Sequence, residues 1–237
     1  VVMVHDVMDK LEENSAVEVM FQVGSSRGAG AQRLQSLAEI QVLASVMSDE
    51  FYEQLRTREQ LGYIVSCRAD RNEGVFSIVS IVQGAAKSAL EVLARIDAFL
   101  DNVPSMLAAK TDAEITQLAD SLAQARLARP QQLLSAAERN WGEIRSRDFL
   151  WTRPLDEALA IRQVRKAQVV EAFNRHLAPG GAERRRLCSL VVSGGSGAAV
   201  TKSLEGKGAQ VVSDPQAFAR SRPKWPLSQE KLVSSAV

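Results

Sequence analysis

Between residues 32 and 67 the hydrophobic spacing changes period, and that switch restricts how the chain can fold. Ile40, Leu43, Ala44, Met47, Phe51 and Leu55 recur at three- and four-residue steps, the stripe of a helix with one buried face. From Tyr63 onward the spacing is two: Tyr63, Val65 and Cys67 fall on one face, Ile64 and Ser66 on the other. Gly62 stands at the change, where a helix needs a left-handed residue to stop. A long helix from about Gln32 to Gln60 therefore feeds a strand through a tight corner. Arg56 and Gln60, four apart, share a helix surface near its end. A guanidinium and the Tyr63 phenol are thereby placed close together, both able to donate hydrogen bonds outward.

The remaining pattern surrounds that corner with strands on one side and helices on the other. Val17, Val19, Phe21 and Val23 alternate with Glu18, Met20 and Gln22, which predicts a half-buried strand after a short polar lead-in. Residues 24–30, Gly-rich, read as a loop. A strand over Val75–Val82 is joined to the one that starts at Tyr63 by Ala69–Gly74, whose Asn and Gly predict a hairpin. Ala89, Val92, Leu93, Ile96, Phe99 and Leu100 form the buried face of the next helix. Thr111 with Glu114 three residues on predicts a capping box, and that helix turns Ile115, Leu118, Leu122 and Ala125 inward before the Arg129-Pro130 break.

Helical spacing resumes through Leu133, Leu134, Ala137, Trp141 and Ile144, then around Leu155–Ile161 and Ala167–Leu177, and Arg186–Val192 is a final alternating strand. The predicted class is α+β, an antiparallel sheet with helices packed on one face, in the order β-α-β-β-α-α-α-α-β. Ser193–Gly197 closes the compact part, so residues 1–197 form one domain and 198–237 an extended C-terminal tail. Its Pro223–Pro226 segment is expected on a neighbouring surface.

Composition excludes several function classes. The chain has 237 residues and a net charge of +1, which gives no pull toward nucleic acid or acidic lipid. No stretch approaches the roughly 20 apolar residues of a membrane span. Cys67 and Cys188, two cysteines in predicted strands, make no disulfide framework and fit a reducing, cytoplasmic compartment. The glycines at 24, 28 and 30 lack the following Gly-Lys-Ser/Thr of a phosphate loop. Arg184, Arg185 and Arg186, without interleaved aromatics, read as a solvated strand entry or a domain-contact patch. The two histidines, His5 and His176, stand too far apart in sequence to suggest one metal site. On residue type alone, Arg56 and Tyr63 are equally a helix-terminal arginine favoured by the dipole and a strand tyrosine with its hydroxyl in water.

The run Arg56-Thr57-Arg58-Glu59-Gln60-Leu61-Gly62-Tyr63 resembles an R-x-x-x-Q-L-G-Y signature of the insulysin/pitrilysin family of zinc peptidases. The resemblance extends from about His5 to Trp225-Pro226 and takes in the 13–23 strand and Trp141-Gly142-Glu143-Ile144. It implies the C-terminal, fourth domain of a chamber-forming zinc endopeptidase that degrades peptides. Arg56 and Tyr63 then match the arginine and tyrosine that reach across the closed chamber to bound substrate, as accessory catalytic groups. The family's zinc-binding H-x-x-E-H is missing here, so the resemblance implies zinc in the parent enzyme, bound by another domain, and none in this chain. It also implies that the isolated chain is inactive. The partners it implies are peptide substrates and the N-terminal zinc-bearing half, with neither nucleic acid nor membrane; a homo-oligomer stays open. The alternative is a non-catalytic structural or interaction domain of the same fold.

Overall fold

A computed structural model of the chain describes residues 1–9, 11–25, 31–72 and 74–223, the backbone alone at 31–33. Most of the 24–30 loop, Glu73 of the expected hairpin, and Trp225 and Pro226 of the Pro-rich segment lie outside the described residues.

Among the described residues six strands form one sheet: β1 Val2–Asp6, β2 Ser15–Ser25, β3 Ile64–Asn72, β4 Val75–Gly84, β5 Arg186–Val192 and β6 Val211–Val212. Their order is β3-β4-β2-β5-β1-β6. The four strands expected from the spacing are antiparallel neighbours, with Ile64 opposite Gln83 and Asn72 opposite Val75 in the β3–β4 hairpin. The sheet as a whole is mixed, because β1 joins β5 in parallel and β6 joins β1 in parallel. Residues 2–6 therefore form a strand where the sequence suggests a polar lead-in. Five residues show little alternation of their own; what orders them is a pairing with residues 188–192, much later in the chain.

The predicted faces are largely those observed. Val17, Val19 and Phe21 are buried, while Glu18, Met20 and Gln22 between them are only partly covered, so the helices blanket one side of β2. Helix α1 (Ala31–Tyr52) packs Ile40, Leu43, Met47 and Phe51 into the core. Helix α2 (Ala89–Ala109) meets it there, with the Phe99 ring edge-on to Phe51 at 5.0 Å between centroids. The Thr111–Glu114 capping box opens α3 (Asp112–Leu127): Thr111 N donates to Glu114 Oε2 at 2.7 Å, and Glu114 N donates to Thr111 Oγ1 at 3.2 Å. Of its four expected inward residues, Ile115 is fully buried, Leu118 and Leu122 lie partly against the core, and Ala125 is exposed.

Helix α4 (Leu133–Ser146) departs from expectation. Leu133, Leu134, Ala137, Trp141 and Ile144 do share one face, but that face is exposed, and the helix buries Glu143 and Ser146 instead. Amphipathic spacing locates a stripe; it does not say which neighbour covers it. Helices α5 (Arg153–Arg162) and α6 (Lys166–His176) complete the layer. Beyond β5 the chain forms α7 (Gly197–Gly206), β6 and α8 (Pro215–Ser221), in residues that the sequence reading assigns to an extended tail. Two members of the arginine triplet are tied into the fold. Arg184 and Arg186 lie over the Phe21 ring at 5.4 and 5.9 Å, Arg186 pairs with Asp97, and Arg184 Nε donates to Leu177 O at 2.9 Å.

Candidate functional site

The corner between α1 and β3 is built by an unusual helix end. From Glu53 to Arg58 the α1 helix widens into a π segment. Glu59 N donates to Gln54 O at 2.9 Å, five residues back, and Leu61 N donates to Leu55 O at 2.9 Å, six back. Leu55 and Leu61 are buried and anchor the widened turn to the core. The left-handed residue that ends the helix is Gln60, at φ 52°, not Gly62. Gln60 thus lies beyond the helical segment that carries Arg56.

Gly62 is needed for another reason. A Cβ there would overlap the Gln83 carbonyl oxygen and stand 2.6 Å from the Gln83 carbonyl carbon. A Cβ at Gly84 would likewise stand 2.5 Å from the Gly62 Cα. The two backbones touch where β3 begins and β4 ends, and only glycine leaves room.

This tight crossing turns Tyr63 away from the sheet. Tyr63 sits in a bend ahead of β3 and is 85% exposed, whereas Val65 and Cys67, expected on its face, are buried. The half-buried Arg56 reaches over it, its guanidinium carbon 5.6 Å from the ring centroid, a cation–π contact. The two predicted site residues are thus together and face the same side. Among the described residues the Arg56 guanidinium has no carboxylate partner, so its donors, like the phenol, remain available to a ligand. Behind the pair, Glu59 accepts two bonds from Arg95 of α2, each at 2.7 Å, and one from Gln54 Nε2 at 2.9 Å. The Arg95 bonds hold the Glu59 carboxyl below its usual range.

A second charged constellation lies at the other end of β3 and was not singled out by sequence reasoning. Glu143, 4% exposed, accepts from Arg153 Nε at 2.6 Å, Arg71 Nη2 at 2.9 Å and Leu150 N at 3.2 Å. Asp148 accepts from Arg153 Nη2 at 2.7 Å. Burial alone would raise the Glu143 carboxyl, but the bonds and charge of Arg153, with Arg71, outweigh it and leave it lowered. Glu143 was visible only as a letter in Trp-Gly-Glu-Ile.

Other candidates stay apart. His5 is exposed on β1, and His176 is buried at the end of α6 with Nδ1 3.9 Å from Glu183. Burial lowers the His176 value. Among the described residues no three His, Cys, Asp or Glu side chains converge to hold a metal, so the residues present do not fit a catalytic zinc. Cys67 and Cys188 are free and buried; burial pushes the Cys67 thiol up to about 11, which leaves it unreactive. Among the described residues no helix is long and apolar enough to cross a membrane.

The mixed sheet and its helices thus carry a paired arginine and tyrosine at a glycine crossing. Residues 42–141 match the family model described as PQQ synthase PqqF-like, C-terminal lobe domain 4. Over 93% of its length the chain is 24% identical to a nardilysin-like protein of Arabidopsis thaliana, of which it covers 21%. Over 69% of its length it is 31% identical to an insulin-degrading enzyme of Drosophila melanogaster, of which it covers 16%. The fold matches the crystal structure of pitrilysin with a TM-score of 0.70 at 20% identity, covering 94% of this chain and 22% of that one. Together these likenesses support an insulinase-like M16 C-terminal domain. It spans about a fifth of the length of the curated relatives it matches.

Proposed function

We propose that this chain is the C-terminal, non-zinc-binding domain of a chamber-forming zinc metalloendopeptidase that degrades peptides. In this reading Arg56 and Tyr63 hold substrate and complete the active site from the wall opposite the metal. The observation that carries it is the stacked Arg56–Tyr63 pair, exposed at the start of an outermost strand. A peptide can add to the free rim of β3 by main-chain hydrogen bonds, a recurrent way of binding extended chains. At the head of that strand Arg56 can grip a substrate carbonyl or carboxylate with parallel donors. Hydrolysis of an amide places negative charge on its oxygen, and a preplaced phenol donor stabilises that charge. A zinc held by another domain of the parent enzyme would supply Lewis-acid activation of water and carbonyl. The residues of this chain bind, orient and donate.

The test is Tyr63→Phe in the complete gene product, assayed on peptides. Turnover should fall about a hundredfold with little change in KM, the mark of a donor used only in the transition state. Unchanged turnover would remove Tyr63 from the mechanism. A second reading, a non-catalytic interaction domain, is favoured by the exposed stripe of Leu133, Leu134, Trp141 and Ile144 on α4. A full polypeptide that binds zinc yet cleaves no peptide would support it.

A further inference from the structure

The π segment at the corner has no cause in its own sequence. Glu53–Arg58 contains neither glycine nor proline, and such residues close ordinary α turns by default. Buried Leu55 and Leu61 anchor its apolar side but leave the direction of its solvent-facing residues open. On the polar side a single carboxylate ties three parts together. Glu59 takes both parallel donors of Arg95, Nε at 2.7 Å and Nη2 at 2.7 Å, and the Gln54 amide at 2.9 Å. Its own N–H closes the wide turn onto Gln54 O at 2.9 Å. The start of the turn, its cap and a separate helix are thus fastened at one point, and Arg56 lies within the loop so formed. A partly exposed ion pair of this kind adds little to global stability. What a bidentate pair does supply is direction.

We infer that Glu59, held by Arg95, is a positioning residue for the Arg56–Tyr63 pair: its carboxylate maintains the wide turn that carries the guanidinium over the phenol ring. This rests on the reading of that pair as substrate contacts. A loosened turn would leave both side chains present and misplaced, and a shift of about an ångström at a reacting centre is enough to cost catalysis heavily.

The experiment measures kcat and KM for peptide hydrolysis by the complete gene product carrying Glu59→Ala, Arg95→Ala or Tyr63→Phe, and the pairwise doubles. Glu59→Ala and Arg95→Ala should each lower kcat about tenfold with KM within about twofold and the melting temperature unchanged. The Glu59→Ala/Arg95→Ala double should be no worse than either single, since both cut one link. Tyr63→Phe should cost less in the Glu59→Ala background than in the wild type, because the phenol is already displaced. Full turnover in both single variants, or a Tyr63→Phe penalty identical in both backgrounds, overturns the inference. Full turnover in Tyr63→Phe alone instead brings down the substrate-contact reading beneath it. Glu59→Gln, which keeps one acceptor oxygen without the charge, serves if the alanine variant fails to fold and should show the same loss of coupling.

Discussion

The two ends of β3 handle charge in opposite ways. At the Asn72 end, the partly covered Arg71 joins buried Arg153 and Glu143 with Asp148 in a cluster where Glu143 Oε1 and Asp148 Oδ2 each face two arginine donors. At the Ile64 end, Tyr63 stands in solvent beneath a half-buried Arg56, with donors to spare. Paired inside, charge fastens β3 to α4 and α5, and its loss leaves a naked ion in a poor solvent. Left open outside, polar groups contribute almost nothing to folding and stay ready for a ligand. A charged residue near this strand is therefore structural or functional according to which end it occupies.

Breaking the buried end should give the largest effect on stability. Glu143→Ala removes two of the three close carboxylate bonds of Arg153, itself 7% exposed, leaving it Asp148, and should cost about 3 kcal/mol of unfolding free energy in denaturant titrations. Acid should act in the same direction. The folded Glu143 value lies below its ordinary 4.5, so its contribution is complete above that value and is lost as pH falls through the lower folded one. The alanine variant should therefore show a shallower acid limb than the wild type. The glycine crossing comes next. Gly62→Ala forces a methyl into the Gln83 carbonyl and should cost about 1–3 kcal/mol, with an altered Tyr63 environment visible by NMR. The exposed end should barely respond: Arg56→Ala and Tyr63→Phe should each shift stability by no more than about 0.5 kcal/mol. A large loss there, or a negligible one at Glu143, would reverse the contrast.

How much of this was legible depended on the distance over which each feature is decided. The capping box at Thr111 and Glu114 lies within four residues and was visible directly. The faces of α1, α2 and β2 were legible because burial repeats along each element. Arg56 and Tyr63 were legible as neighbours, since the helix-to-strand switch dictates a corner. Their geometry was not: the π turn depends on Arg95, and the role of Gly62 depends on Gln83 and Gly84 of another strand. β1 needed a partner some 186 residues away in sequence, as Val2 opposite Cys188 shows. The outward turn of α4 follows from Glu143 being drawn inward by Arg71 and Arg153, a preference that an apolar stripe cannot announce.

An unpartnered strand rim is also where proteins stick to their own kind. Among the described residues β3 is the outermost strand of its sheet, yet exposed Arg68 is followed by the partly exposed Asp70, so charge interrupts the run beyond the opening Ile64-Val65. Two such rims aligned side by side would have to shed the hydration of those ions before their backbones could mate. The residues that discourage fibre-like stacking thus also set a toll on any visitor, favouring segments that carry compensating charges of their own.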